Sequence, residues 1–102
     1  MKIAIASSGK KESSTVSPIV GRAPYYLIYD NDDFVEVIKN PFAVGGGGAG
    51  LGVAQMLHDK DIKMIVGGKF GPNVIEAIKE KDMVHKEIGE IDILEALKKV
   101  LS

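Results

Sequence analysis

The chain has 102 residues, the size of one domain with a modest single core. Its net charge of −1 supplies no global basic field for nucleic acid, and its 45% apolar content is ordinary for a soluble globular protein. It has no cysteine, which excludes disulfides, thiolate-held zinc, cysteine-ligated iron–sulfur clusters and a cysteine nucleophile. No apolar run reaches the roughly 18–20 residues that a membrane span needs. The apolar run after Lys2 is too short for a signal peptide, so the expected compartment is the cytoplasm.

Residues 2–7 alternate and are apolar enough for a buried strand. Residues 7–17 are rich in Ser, Thr and Lys and read as a mobile loop. Residues 25–29, aromatic and branched, predict a second strand, the cluster 30–33 a turn, and residues 34–38 a third strand that closes a hairpin. The period then changes. Leu51, Val53, Ala54, Met56 and Leu57 form a helical stripe, residues 62–66 a short strand, and Pro72 opens a second helix with Val74, Ile75 and Ile78 facing inward. Residues 83–85 read as a last short strand. Asp92 and Glu95 have capping-box spacing ahead of a stripe of Ile93, Leu94, Leu97, Val100 and Leu101.

This order predicts a single α/β domain over residues 1–102, with a mixed five-stranded sheet between helical layers. Right-handed crossovers give the strand order 3-2-1-4-5, with strand 2 antiparallel. Three connections then emerge at the carboxyl edge of the parallel strands: the 7–24 loop, a glycine run and the 67–73 turn. Ligands of open α/β sheets sit at that edge.

The glycine run is Gly45, Gly46, Gly47, Gly48, Ala49 and Gly50. It reads either as a loop whose bare N–H groups and following helix face an anion, or as a surface loop that binds nothing. Neither a complete dinucleotide fingerprint nor a Walker loop is present. Gly67, Gly68 and Gly71 punctuate the second turn, where Lys69 is either a second positive charge or simply solvated. Arg22, the only arginine, suits bidentate recognition of an anion or pairing with a carboxylate of its own chain. Ser17 can donate to a ligand or hold a turn, and Asn73 can do the same or cap its helix. His58 and His85 lie far apart and form no local metal motif, with His58 near a helix end and His85 closing a strand.

The run Val16-Ser17-Pro18-Ile19-Val20-Gly21-Arg22-Ala23-Pro24-Tyr25-Tyr26-Leu27-Ile28-Tyr29-Asp30 resembles the opening signature of the dinitrogenase iron–molybdenum cofactor biosynthesis family. Lys39-Asn40-Pro41, the glycine run and Val66-Gly67-Gly68-Lys69-Phe70-Gly71-Pro72-Asn73 are similar to its later motifs. The resemblance implies a ribonuclease-H-like α/β/α fold. It implies small cytoplasmic proteins of bacteria and archaea that carry or insert metal–sulfur clusters and are not enzymes. Ile19 and Val20 stand where the family pattern has His-Phe. Together with the missing cysteines, this leaves a cluster to be held without His or Cys ligands, by Gly21-Arg22 and the two glycine loops.

The expected function is therefore non-enzymatic binding of an anionic metal–sulfur cluster, iron–molybdenum or other, or of a cluster precursor. Cluster-assembly proteins are the expected partners, with no nucleic acid and no membrane. The alternative is a binding or regulatory module for a phosphate-bearing metabolite, using the same edge. A ribonuclease-type enzyme needs clustered carboxylates around magnesium, and the first strand offers none.

Overall fold

Lys2–Ser7 form β1, which opens the chain yet lies at the centre of the sheet. The structure is a computed structural model that describes residues 1–44 and 49–102, so Gly45 to Gly48 fall outside it. After a 3-10 turn at Val20–Arg22 come β2 (Tyr25–Asp30), β3 (Asp33–Lys39), α1 (Ala49–Asp59), β4 (Ile62–Gly67), α2 (Pro72–Glu80), β5 (Val84–Glu87) and α3 (Ile93–Leu101). The sheet order is β3-β2-β1-β4-β5, with β2 antiparallel to both neighbours and β1, β4 and β5 parallel. This is the order expected from the sequence.

The β2–β3 hairpin turns on Asn31 and Asp32, and Asn31 takes φ 55°, a value that Asn adopts more readily than most residues. The turn lies at the amino edge of the sheet, where Asp30 pairs with the N-terminal ammonium at 3.4 Å.

The two faces of the sheet carry separate cores. Ala4, Ala6, Tyr26, Ile28 and Ile65 pack beneath α1 and α2, against Val53, Leu57, Val74 and Ile78. Ile3, Ile5, Leu27, Tyr29, Met64 and Val66 pack beneath α3, against Ile93, Ala96 and Leu97. β4 serves both faces through a register shift. Lys2 pairs with Ile62 but Ile3 with Met64, which leaves Lys63 as an extra, exposed residue. Ile62 therefore joins Ile65 on the α1/α2 face, and Met64 joins Val66 on the other.

Several local expectations are corrected. Residues 7–17 pack as a strap and not as a mobile loop. The N–H of Ser8 donates to Thr15 O at 3.0 Å, that of Val16 to Ile91 O at 2.8 Å and that of Ile93 to Ser14 O at 3.0 Å. Val16 is fully buried and anchors the strap in the α3 core. On α3, Ala96 takes the inward place, while Leu94 and Leu101 are exposed. Asp92 occupies the N-cap but its side chain makes no cap bond, so the capping box does not form. Leu51 points outward in the first turn of α1. β5 starts one residue later than expected and runs to Glu87, so His85 lies within the strand. Its ring packs on Phe70, with centroids 4.9 Å apart.

Candidate functional site at the carboxyl edge of the sheet

Two of the three expected loops are joined directly by main chain. Residues 17–20 run beside residues 67–69 as a short parallel ladder past the ends of β1 and β4. The N–H of Gly68 donates to Ser17 O at 3.0 Å, that of Lys69 to Pro18 O at 2.7 Å, and that of Val20 to Lys69 O at 3.0 Å. The ladder stands at the switch in strand order between β1 and β4, where a crevice opens in doubly wound sheets.

That ladder gives the second glycine turn a structural task. The amides of Gly68 and Lys69 are already used, so they are not bare donors for an anion. A Cβ on residue 68 would fall on the Pro18 carbonyl oxygen and within 2.7 Å of its C and Cα. A Cβ on residue 67 would strike the Val20 side chain. Gly71 differs, because no atom lies within 4 Å of the place its Cβ would take. Ser17 is buried, and its hydroxyl donates to Ile19 O at 3.3 Å, so its side chain holds the turn.

The third loop is tied in through Arg22 and Asn40. The Arg22 guanidinium donates from Nη1 to Phe42 O at 3.1 Å. Phe42 stands at the entry to the glycine run, and its ring lies where a side chain on Gly52 would be, 2.5–2.8 Å from the missing Cβ. Asn40, which the sequence reading did not single out as a site residue, is 3% exposed and bonds both Arg22's neighbours and Phe42. A polar residue directly before Pro41 at a strand end was the available signal. The Tyr26 hydroxyl completes the knot by donating to Val20 O, and burial raises its phenol pKa far above the ordinary value.

The N-termini of α1 and α2 meet at the same edge. A Cβ on Gly50 would lie 3.0 Å from Val74 N and 3.3 Å from Asn73 Cβ, so the glycine is what lets the two helix starts approach. Asn73 is exposed in the first turn of α2, and Gly71 is that helix's N-cap, without a side-chain cap bond. Both helices direct the positive ends of their dipoles to this edge.

On the β5 side of the ladder lies a groove of about 410 Å³. Pro18, Ile19, Ile88 and Lys69 line it, and Glu87 and Glu90 form its outer lip. Lys69 lines this groove, whereas the Arg22 guanidinium is held at the Phe42 carbonyl. Among the described residues no three His, Asp or Glu side chains gather as a metal site, and no helix is long and apolar enough to cross a membrane. The charged groups at this edge are thus the Arg22 guanidinium, the Lys69 ammonium and the Glu87 and Glu90 carboxylates, while the Gly68 and Lys69 amides are engaged in the ladder.

No curated protein matches the chain in sequence. Among solved structures, a NifB-like protein from Thermotoga determined by NMR is 31% identical, with TM-score 0.83 over 97% of this chain and 85% of that one. The apo form of the orange protein from Desulfovibrio gigas has the same fold, with TM-score 0.90 at 23% identity over 98% of this chain and 86% of that one. The model of the dinitrogenase iron-molybdenum cofactor family matches residues 1–102. The fold, the loops at its carboxyl edge and this match place the chain in the dinitrogenase iron-molybdenum cofactor family.

Proposed function

We propose that the protein is a non-enzymatic carrier for an anionic metal–sulfur cluster, or a precursor of one, held at the carboxyl edge of the sheet. One observation carries the reading: the 17–20 and 67–69 segments, the Arg22–Phe42 contact and the N-termini of α1 and α2 all lie at that edge. Membership of the cofactor family supports it. A guanidinium presents five donors in a fixed fork, so one arginine can grip a backbone carbonyl and face a ligand together. The Lys69 ammonium, at the neighbouring groove, adds charge. With no cysteine in the chain, such a site holds its cargo by charge-assisted hydrogen bonds and gives it up without breaking a metal–thiolate bond. That suits delivery to cluster-assembly proteins in the cytoplasm.

The test is reconstitution without oxygen. The protein is incubated with tetrathiomolybdate, with and without ferrous iron, desalted, and measured for bound metal and visible absorption. A stoichiometric, coloured complex is expected, and colourless protein without metal overturns the reading. The same donors would also accept a phosphate-bearing metabolite, which is the second reading. Ligand at a hundred times its Kd adds about 2.7 kcal/mol of stability, so a nucleotide or sugar phosphate that raises the melting temperature would favour that reading.

A further inference from the structure

Asn40 sits at the end of β3 with its side chain buried. Its Nδ2 donates to Ala23 O at 2.8 Å and to Gly21 O at 3.2 Å, and lies 3.3 Å from the Tyr26 hydroxyl. Its Oδ1 accepts the N–H of Phe42 at 2.9 Å. Its own N–H donates to Pro24 O at 3.0 Å, and its carbonyl accepts from Ala43 N–H at 3.3 Å. The two carbonyls it holds flank Arg22 in the chain. The residue whose N–H it accepts is the one whose carbonyl receives the Arg22 guanidinium. The contacts close a ring: Arg22 to Phe42, Phe42 to Asn40, and Asn40 to both neighbours of Arg22.

We infer that Asn40 is the positioning residue of the carboxyl-edge site, fixing the direction of the Arg22 guanidinium toward an anionic ligand. The inference rests on the proposed function for the nature of that ligand, while the ring itself does not depend on it. Only a primary amide fits the position. It donates to backbone carbonyls on one side and accepts a backbone N–H on the other, from one planar group. Asp has nearly the same shape but turns a carboxylate toward the Gly21 and Ala23 carbonyls. Gln is a methylene longer in a space that is almost closed to solvent. Burial adds to the effect, because each bond acts in a low-dielectric setting and an arrangement with one partner removed has no water to fall back on.

The experiment compares wild type, Asn40→Asp and Leu97→Ala for tetrathiomolybdate affinity without oxygen. Leu97 lies in the core of the opposite face, so its variant controls for lost stability alone. Removing a group that orients a ligand-binding side chain typically costs about 10–100-fold in affinity. The expected result is a loss of that size in Asn40→Asp and wild-type affinity in Leu97→Ala, both measured well below their melting temperatures. Asn40→Asp binding within twofold of wild type overturns the inference, as does an equal loss in both variants. If wild type binds no tetrathiomolybdate, the carrier reading fails and the Arg22 Nε–H resonance decides the positioning role. A shifted or broadened Nε–H signal in Asn40→Asp, with Leu97→Ala unchanged, supports it, and an unaltered signal overturns it.

Discussion

Gly68 and Gly71 lie three residues apart in one turn, yet they should respond to substitution in opposite ways. In Gly68→Ala the new methyl would overlap the Pro18 carbonyl, which is backbone and cannot rotate away. The 17–20 and 67–69 segments must then separate, which strains the Gly68 N–H to Ser17 O and Lys69 N–H to Pro18 O bonds. Overpacking of this kind costs about 1–3 kcal/mol, and two weakened bonds add about 1 kcal/mol each, for roughly 3–5 kcal/mol together. At about 4–8 °C per kcal/mol for a domain near 100 residues, the melting temperature should fall by roughly 12–40 °C. Gly71→Ser is the control. Residue 71 has φ −69°, open space around its Cβ position and the N-cap of α2. Serine there accepts a helix N–H and reduces unfolded-state entropy, so stability should rise by about 0.5–1 kcal/mol. Differential scanning calorimetry of the two variants checks both signs. A Gly68→Ala protein melting within about 3 °C of wild type would refute the close approach of the two loops.

Arg22→Lys keeps the charge but loses the planar fork, and tetrathiomolybdate titration should show affinity reduced roughly ten- to a hundredfold, the equivalent of about 1.5–3 kcal/mol. Glu87→Gln and Glu90→Gln remove like charge from the groove's lip, so each should strengthen anion binding about two- to threefold at low salt, with the gain fading above ~0.5 M. Unchanged affinity in both would place the anion away from the groove. Burial, with the Glu12 carboxylate nearby, pushes the Tyr29 phenol up to about 12, although no acceptor meets its hydroxyl in hydrogen-bond geometry. The folded state therefore keeps this proton where the unfolded chain loses it, and stability present below pH 10 is lost as pH rises from 10 toward 12. Tyr29→Phe should flatten that slope and cost little at pH 7. Tyr26→Phe should cost about 1–2 kcal/mol at pH 7, because its hydroxyl is bonded to Val20 O. Urea unfolding at several pH values reads both.

Strand order and the two-layered packing were legible in the sequence because they follow from period and from the handedness of crossovers. Alternation in residues 2–7, the aromatic run at 25–29 and the change of period after 50 each name an element, and the connections leave one topology. The site was legible as a place and less so as a set of contacts. Topology set the 7–24 and 67–73 connections at one edge, where main chain joins them. That Gly67 and Gly68 are spent on packing against Val20 and Pro18 depends on residues some fifty positions away, which no local pattern displays. Asn40 was hidden for a related reason. A lone Asn before Pro reads as a turn former, and its four side-chain contacts all lie across the fold or past the proline. The strap at 7–17 misled because its polar residues predict solvent, whereas Val16 alone seats it in the core.

The strap also bears on the order in which the protein can mature during synthesis. Its main-chain partners are Ile91, Asp92 and Ile93, at the start of α3, so the segment leading into the Arg22 turn is clasped by residues synthesised well after it. The central strand faces a similar wait, since β1 must hold its place beside β2 until β4 emerges. A nascent chain that has produced β1, β2 and β3 but not α3 has Arg22 and Asn40 in hand while the approach to them is still unfastened. A ribosome-stalled chain lacking α3 should therefore be open to protease within residues 8–15 and closed there once α3 has docked.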